Sequence, residues 1–380
     1  MLPTDLYRDI IESLDHDYDR TTLLATAQCC ALLRVESQRI LFRSTTGRIW
    51  HGEDQVQRYK LFLEAILGAP KRLALYVRDL DQRGIGWEPG YMVGRATNSF
   101  HYKASAQVYK MTGLALPIMV NLKRLSFKPF RANPSAHILC QCTFQLEVFE
   151  WWQPNCESEL VSSFFPHQNA LRHITVFWQT DTKLPNNILP KLMSVRGSLS
   201  ALIAFTEAMG PGKTLAFDYL NTNGSTDRDL GAQRVIKALH SIQYLRTPIE
   251  HHLPLISQGN TLPESIVLLD ITLIGSATNV DFLNYTPPTL RALVLRRHDW
   301  PQSLSQHEMD RMALAAFIHC PSLQYVDIFP IPSARAQRIP RPRPGEVAGE
   351  SASIAVTFLD EEKADWEWWE RHSFETETSA

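Results

Sequence analysis

Long hydrophobic runs, a strong excess of either charge and a cysteine framework are all missing from this 380-residue sequence. The longest mainly apolar stretch, TLLATAQCCALL at 22–33, is shorter than the ~20 apolar residues of a membrane span. The N-terminal residues lack the basic and apolar regions of a signal peptide. A formal net charge of −2 gives no electrostatic footprint for nucleic acid or an anionic membrane. We therefore expect neither a nucleic-acid partner nor a membrane partner.

The six cysteines show no disulfide spacing and no C-x-x-C pair. We interpret them as buried free thiols in a reducing compartment, which predicts a cytoplasmic or nuclear location. Two groups of residues could be considered as zinc ligands, but neither has suitable spacing. Structural zinc sites pair their cysteines at C-x₂₋₄-C spacing, and the side chains of adjacent histidines on a helix point in different directions. These candidates are His137, Cys140, Cys142 and Cys156, and the pair His251 and His252. No metal ion is expected.

Residues 210–214 read GPGKT and end like the phosphate loop G-x-x-x-x-G-K-T. Glu207 stands where the first glycine belongs, and its carboxylate would repel phosphate. A helix is predicted before the segment and a strand after it, which reverses the order that a phosphate loop needs. We interpret it as a tight helix-to-strand turn and expect no cofactor. No other catalytic motif is found in the sequence, which lowers the support for an enzyme.

Residues 1–43 predict three short helices. The first covers Pro3–Leu14, with apolar residues at helical spacing. Asp19 is expected to cap the second helix by accepting a backbone N–H, and the third runs from Ala31 to Phe42. Such a small core is expected to depend on the adjoining part of the chain or on a partner.

A repeat begins near residue 120, anchored on an L-x-x-L-x-L pattern that recurs every 21 to 33 residues, about 25 on average. A helical pattern fills most gaps, and the clearest is Glu308–His319, with one apolar face. A short strand plus a helix in each unit is typical of an irregular leucine-rich repeat. The anchors are Leu122, Leu146, Leu171, Leu192, Leu215, Ile242, Ile266, Leu290 and Leu323.

The fold class is therefore expected to be α/β, with a three-helix front end followed by a solenoid, or horseshoe, of strand–helix units. Residues 44–121 form a bridging segment with a helix at 58–67, a strand at 73–77, a Gly-rich loop from 79 to 100 and a helix broken near Gly113. The repeats cover 122–330, a Pro/Arg-rich stretch at 331–351 is predicted to be disordered, and 352–380 supply a last strand and helix.

Two tryptophan clusters stand out. Trp152 is expected to be exposed, whereas the repeat register points Trp151 inward. Trp366, Trp368 and Trp369 are interpreted as a cap over the open end of the repeats, with a recognition patch as the alternative.

The motif Leu2-Pro3-x-x-Leu6-x-x-x-Ile10-Ile11-x-x-Leu14, followed by DRTTLLATAQCCALL and Arg39-Ile40-Leu41-Phe42, resembles an F-box. Where that family often has Val-Cys/Ser-Arg-x-Trp, this chain has QCCALL at 28–33, a departure that concerns docking strength more than fold. The whole chain is similar to the F-box proteins with degenerate leucine-rich repeats of mushroom-forming fungi.

The resemblance implies the substrate-recognition subunit of an SCF-type cullin-RING ubiquitin ligase. It would be a non-catalytic subunit that docks a Skp-type adaptor through the F-box and holds an unknown protein target on the repeats. The implied adaptor-binding residues are Leu2, Pro3, Leu6, Ile10, Leu24 and Leu33. Residues at the x positions of the strands are the candidates for target binding: Arg124, Ser126, Glu150, Thr175, Asp270, Val294 and Asp327.

Two alternatives stay open. The departure at 28–33 is compatible with an interaction scaffold whose F-box-like helices have lost the ligase role. An enzyme of unknown type is the third possibility, with the turn at Lys213 as its only motif.

Overall fold

The structure, a computed structural model, describes residues 4–16, 18–45, 53–83, 99–128, 136–153, 155–210, 212–219, 232–248, 261–274, 281–298, 305–329, 336–342 and 357–359. The chain divides into two compact units, Met1–Leu192 and Met193–Ala380. Each unit combines helices with a mostly parallel sheet, so the predicted α/β class is confirmed.

The first unit opens with three helices, as the apolar spacing predicts: α1 (Thr4–Glu12), α2 (Arg20–Cys29) and α3 (Ala31–Leu41). Their shared core is small, with Ile11, Leu23 and Ile40 buried together. The predicted cap by Asp19 is wrong, because its side chain makes no capping bond to α2 and instead accepts the Asp15 N–H at 2.8 Å.

Two longer helices follow, α4 (Glu53–Gly68) and α5 (Ser99–Ala115). The helix is expected to break at Gly113 and Pro117. The break at Gly113 is wrong, since α5 continues through it, whereas the helix does end at Ala115, directly before a 3-10 turn, Leu116–Ile118, that contains Pro117. A Cβ at this glycine would lie 3.3 Å from Ile138 Cγ2, so the glycine permits a close approach between α5 and the 3-10 turn Ala136–Leu139. The expected strand at 73–77 is instead a 3-10 turn, Ala74–Tyr76.

Four parallel strands complete the first unit. They are β1 (Asp79–Asp81), β2 (Arg124–Phe127), β3 (Val148–Trp151) and β4 (His173–Val176), and each pairs with the next along the chain. Strand β1 lies inside the segment predicted as a loop. Between β3 and β4 lies α6 (Glu157–Glu159), which continues as a π-helical turn, Leu160–Phe164, and a 3-10 turn, Phe165–His167.

In the described residues of the second unit there are six parallel strands, again paired in chain order. They are β5 (Ser194–Gly197), β6 (Leu215–Tyr219), β7 (Ile242–Pro248), β8 (Leu268–Ile274), β9 (Ala292–His298) and β10 (Tyr325–Phe329). The connections include α7 (Leu199–Met209), α8 (Ala232–Leu239), a 3-10 turn (Asp281–Tyr285) and α9 (Gln306–His319).

Two antiparallel strands, β11 (Ala336–Pro340) and β12 (Thr357–Leu359), follow β10. Strand β11 lies within the stretch predicted to be disordered at 331–351. Its side chains explain the difference, because Ile339 is buried and Arg338 binds Asp327 of β10. The predicted strand near the C-terminus is confirmed at β12.

The strand register follows the repeat anchors. In the first unit, Arg124, Val148 and His173 are mutual partners, each two residues after its anchor leucine. The second unit pairs Tyr244, Leu268, Ala292 and Tyr325 in the same way. One sheet face is apolar, with a continuous buried row of Phe217, Leu245, Leu269, Leu293 and Val326. Burying each such side chain contributes roughly 1.5–3 kcal/mol.

Candidate functional sites

The three N-terminal helices leave apolar side chains uncovered. On α1, Leu6 is 43% exposed and Ile10 is 52% exposed, one helical turn apart. The neighbouring Ile11 is fully buried, so α1 has an inner and an outer apolar side. We call the exposed set the helical surface: Leu6, Ile10, Leu24, Leu32 and Val35.

Three of the six implied adaptor-binding residues therefore lie exposed: Leu6, Ile10 and Leu24. Leu33 is half-buried and packs against the small core of the three helices, which is a structural role. Leu2 and Pro3 lie outside the described residues. The resemblance did not single out Leu32 and Val35 of α3. Both are exposed in the structure, whereas Ile40 on the same helix is buried.

Ion pairs hold α1 to α3. Arg39 Nη2 lies 2.6 Å from Glu12 Oε1, and Arg39 Nε lies 2.9 Å from Glu36 Oε2. The hydrogen bond from Arg39 lowers the pKa of Glu12. The bond between Arg39 and Glu12 links α3 to α1, while the apolar residues of the helical surface stay exposed.

A second candidate site follows the polar face of the sheet in the second unit. We call this the charged row: Arg196, Asp218, Arg246, Asp270, Val294, Asp327 and Arg338, which are register partners on successive strands. Five of these side chains lie four residues after a repeat anchor. Asp218 lies only three after Leu215, because the pairing of β6 with β7 is irregular at Leu215 and Ala216.

Arginine and aspartate alternate along most of the charged row. Arg196 Nε and Arg246 Nη1 lie 3.2 and 3.6 Å from Asp218 Oδ2. Arg246 Nε also donates to Asp270 at 2.8 Å. Arg296, on β9, donates to both oxygens of Asp270 at 3.0 Å. The carboxylates are thus bound between guanidinium groups from two neighbouring strands.

The row ends in a bidentate pair. Arg338 Nε and Nη2 donate to the two oxygens of Asp327, both at 2.8 Å. Burial raises the pKa of the Asp327 carboxyl, while the hydrogen bond to that carboxylate raises the pKa of Arg338. The Arg338 guanidinium also lies 3.9 Å above the Tyr325 ring, and Arg296 lies 4.2 Å above Phe329.

The candidate target-binding residues lie at the x positions of the strands, as predicted, and they differ in exposure. Arg124 is exposed and Glu150 is half-buried. The other five are buried: Ser126, Thr175, Asp270, Val294 and Asp327. Arginine side chains from neighbouring strands bind the carboxylates of Asp270 and Asp327. The arginines that cover the aspartates were missed. For Arg196 and Arg246 the signal is their position four residues after an anchor, whereas Arg296 and Arg338 do not have this spacing.

Trp151 is fully buried, as the register predicts, and stacks on Phe127 with ring centroids 4.9 Å apart. Trp152 is half-buried rather than exposed, and its Nε1 donates to Glu150 at 3.3 Å. Arg83 Nη1 also lies 3.0 Å from Glu150, so this carboxylate organises the polar face of the first unit. Trp366, Trp368 and Trp369 lie outside the described residues.

The remaining motifs acquire structural roles. Helix α7 precedes the Lys213 turn and β6 follows it, and Gly210 and Gly212 have positive φ angles of 77° and 83°. This is the predicted helix-to-strand turn, and the order removes the phosphate-loop interpretation. Among the described residues, no three His, Cys, Asp or Glu side chains gather as metal ligands. His251 and His252 lie outside those residues.

Two of the cysteines, Cys156 and Cys320, are buried as expected, whereas Cys29, Cys30 and Cys140 are exposed. None of the helices in the described ranges has both the length and the apolar content needed to cross a bilayer.

No family model matches the chain, and none of the curated proteins gives a significant match.

Proposed function

We propose that this chain is the substrate-recognition subunit of an SCF-type cullin-RING ubiquitin ligase. One observation carries the proposal: a three-helix front end leaves the helical surface uncovered although its neighbours Ile11, Leu23 and Ile40 are buried. Apolar side chains that stay exposed around a small core mark a protein interface. In the proposal these helices are an F-box, and the helical surface docks a Skp-type adaptor.

The parallel strands that follow the three helices in the chain support the other part of the proposal, which is target binding. Parallel strands that pair in chain order at a recurring register fit an irregular leucine-rich-repeat solenoid. In it, the polar face of the sheet holds the protein target. Because the charged row is nearly balanced, we expect recognition there to depend on shape, aromatic rings and hydrogen bonds more than on net charge.

Such a subunit performs no bond-making step of its own. It would bring the target close to a ubiquitin-conjugating enzyme held at the other end of the ligase, and its contribution to the rate would be proximity and orientation.

The test is a pull-down of the full chain with a Skp-type adaptor. The variant carries Leu6→Asp and Ile10→Asp, which place two carboxylates on the helical surface. A matched control carries Leu314→Asp and Ile318→Asp, an equally spaced Leu/Ile pair on α9 that is 46% and 69% exposed. We expect wild type and control to retain the adaptor and the Leu6/Ile10 variant to lose it by at least tenfold.

Failure of the folded wild type to bind the adaptor, under conditions where other F-boxes bind it, would refute the ligase role. That result would favour the alternative of a repeat scaffold without a ligase. The exposed residues Cys29 and Cys30, which replace the usual F-box pattern at the α2–α3 junction, are the feature that favours this alternative.

A further inference from the structure

A cleft of about 590 Å³ lies in the first unit, where α1 and α3 meet the edge of the sheet. Five cationic and three acidic side chains line it, together with Leu75 and Tyr76 of the 3-10 turn. The cations are Arg39, Arg43, Arg78, Lys123 and Arg124, and the carboxylates are Glu12, Asp79 and Glu147. We call this the cationic cleft. Its volume is in the range of small-molecule sites.

Backbone hydrogen bonds place three of these cationic residues side by side, just before the strands begin. The Arg78 N–H donates to the Arg43 carbonyl at 2.8 Å, and the Lys123 N–H donates to the Arg78 carbonyl at 2.8 Å. Glu147 continues the column, since its N–H donates to the Lys123 carbonyl at 2.8 Å. Neighbouring strands lie about 4.8 Å apart, and like charges placed opposite each other destabilise a sheet. Arg43, Arg78 and Lys123 thus form an unfavourable arrangement of three positive charges.

Each carboxylate in the cleft already has a cation. Glu12 pairs with Arg39 at 2.6 Å, Asp79 with Arg124 at 3.7 Å, and Glu147 with Lys123 at 3.6 Å. Within the described part of the chain, neither Arg43 nor Arg78 forms an ion pair. Arg78 donates instead to the Asn121 carbonyl at 3.3 Å, which leaves its charge uncompensated. Its lining residues give the cleft an excess of two positive charges, and the exposed residues Arg43 and Arg78 are the two cations without an ion pair. Arg43 lies near enough to Glu12 and Asp79 to act against a high pKa of either carboxyl, so its charge is partly compensated.

We propose that the cationic cleft binds a small phosphate compound carrying two or more negative charges, with Arg43 and Arg78 as its principal contacts. A guanidinium group binds phosphate oxygens through paired N–H donors, and two such groups lining one cleft can bind two phosphoryl groups or one doubly charged one. Lys123, Arg39 and Arg124 lie around them and add to the positive potential.

The proposed ligand would join two parts of the first unit. Arg39 and Glu12 come from the N-terminal helices, whereas Arg78 and Arg124 belong to the sheet edge. An anion bound between them would hold the helices against the sheet. The proposal does not depend on adaptor binding, so either can fail without the other.

The experiment is titration calorimetry of the full chain with tripolyphosphate, pyrophosphate, sulfate and citrate at one fixed ionic strength, since salt screens exposed charges. We expect the two polyphosphates to bind at least tenfold more tightly than sulfate or citrate. Arg43→Gln and Arg78→Gln should each weaken polyphosphate binding at least tenfold. Glu147→Gln, which removes a competing carboxylate, should tighten it.

Arg172→Gln is the matched control. Arg172 is exposed and continues the same backbone column, its N–H donating to the Glu147 carbonyl at 2.9 Å, but it does not line the cleft. It should change polyphosphate affinity less than twofold. The proposal is overturned if wild type does not prefer polyphosphate, or if Arg172→Gln weakens binding as much as Arg78→Gln does. Because Arg43 and Arg78 are exposed, circular dichroism should show both variants folded.

Discussion

Arg246 and Asp270 lie opposite each other on neighbouring parallel strands, joined by a 2.8 Å bond between Nε and a carboxylate that is fully buried. Arg296 binds the same carboxylate from the other side. A buried charge is tolerated only when it is paired and hydrogen-bonded, and the two arginines meet this requirement for Asp270. Asp270 is thereby a structural centre of the charged row as well as a candidate for target binding.

Substitution Asp270→Ala should destabilise the protein by about 3–5 kcal/mol, because it removes the buried carboxylate that binds both Arg246 and Arg296 and leaves their guanidinium groups only partly paired. Urea unfolding at pH 7 measures the change. Glu207→Ala is the control, since Glu207 pairs with Arg234 at 3.5 Å on the surface and such pairs contribute about 0–1 kcal/mol. Equal losses for the two variants would contradict the structural role of Asp270.

Adjacent residues on α1 should respond in opposite ways to truncation. Ile11→Ala removes a fully buried side chain and should cost about 2–5 kcal/mol of stability. Ile10→Ala changes a side chain that is 52% exposed and should cost less than about 0.5 kcal/mol. In adaptor pull-downs at a temperature where both variants are folded, Ile10→Ala should be the weaker binder. The reverse order of stabilities would mean that the helical surface is wrongly assigned.

Acid should destabilise the first unit through His173. Burial, with Arg172 and Arg124 nearby, lowers the pKa of this imidazole to about 4. The unfolded chain, with a histidine pKa near 6.5, takes up the proton more readily, so stability falls as the pH drops from about 6.5 to about 4. The loss from this group should reach roughly 2–3 kcal/mol. His173→Gln should show a smaller loss of unfolding free energy between pH 7 and pH 4.5; an identical slope for both proteins would exclude His173 as the cause.

The two helical glycines should differ when a side chain is added. Gly113→Leu forces atoms against Ile138 and should destabilise the protein by about 1–3 kcal/mol. Gly68, at the end of α4, has open space where a Cβ would lie, with nothing within 4 Å, so Gly68→Ala should be neutral or gain up to about 1 kcal/mol from helix propensity. Thermal unfolding of both variants provides the comparison, and a stabilised Gly113→Leu would refute the close approach.

The sequence predicted strands best where an anchor leucine and its partners face the apolar side of the sheet. Leu122, Leu146 and Leu171 are all fully buried, and each lies two residues before a strand residue that pairs with the neighbouring strand. Hydrophobic periodicity was therefore enough to predict these strands. At Leu215 the predicted spacing is wrong by one residue, because the register between β6 and β7 shifts there. Hydrophobic periodicity alone does not reveal such a shift.

Features that depend on distant partners could not be predicted in this way. Strand β1 begins at Asp79, in a segment without strand-like composition, and is held by its pairing with β2. Strand β11 depends on the bond between Arg338 and Asp327. The charged row and the cationic cleft likewise result from register, which places residues 11 to 45 positions apart side by side.

Every parallel strand described in the second unit pairs only with the strands before and after it in the chain. Under mechanical tension, such a ladder yields strand by strand from a loose end, because no long-range pairing locks the first strand to the last. A pulled molecule should therefore lengthen in increments set by a single strand and its connection, and deletion of residues 268–291 should leave β7 able to pair with β9 in the original register.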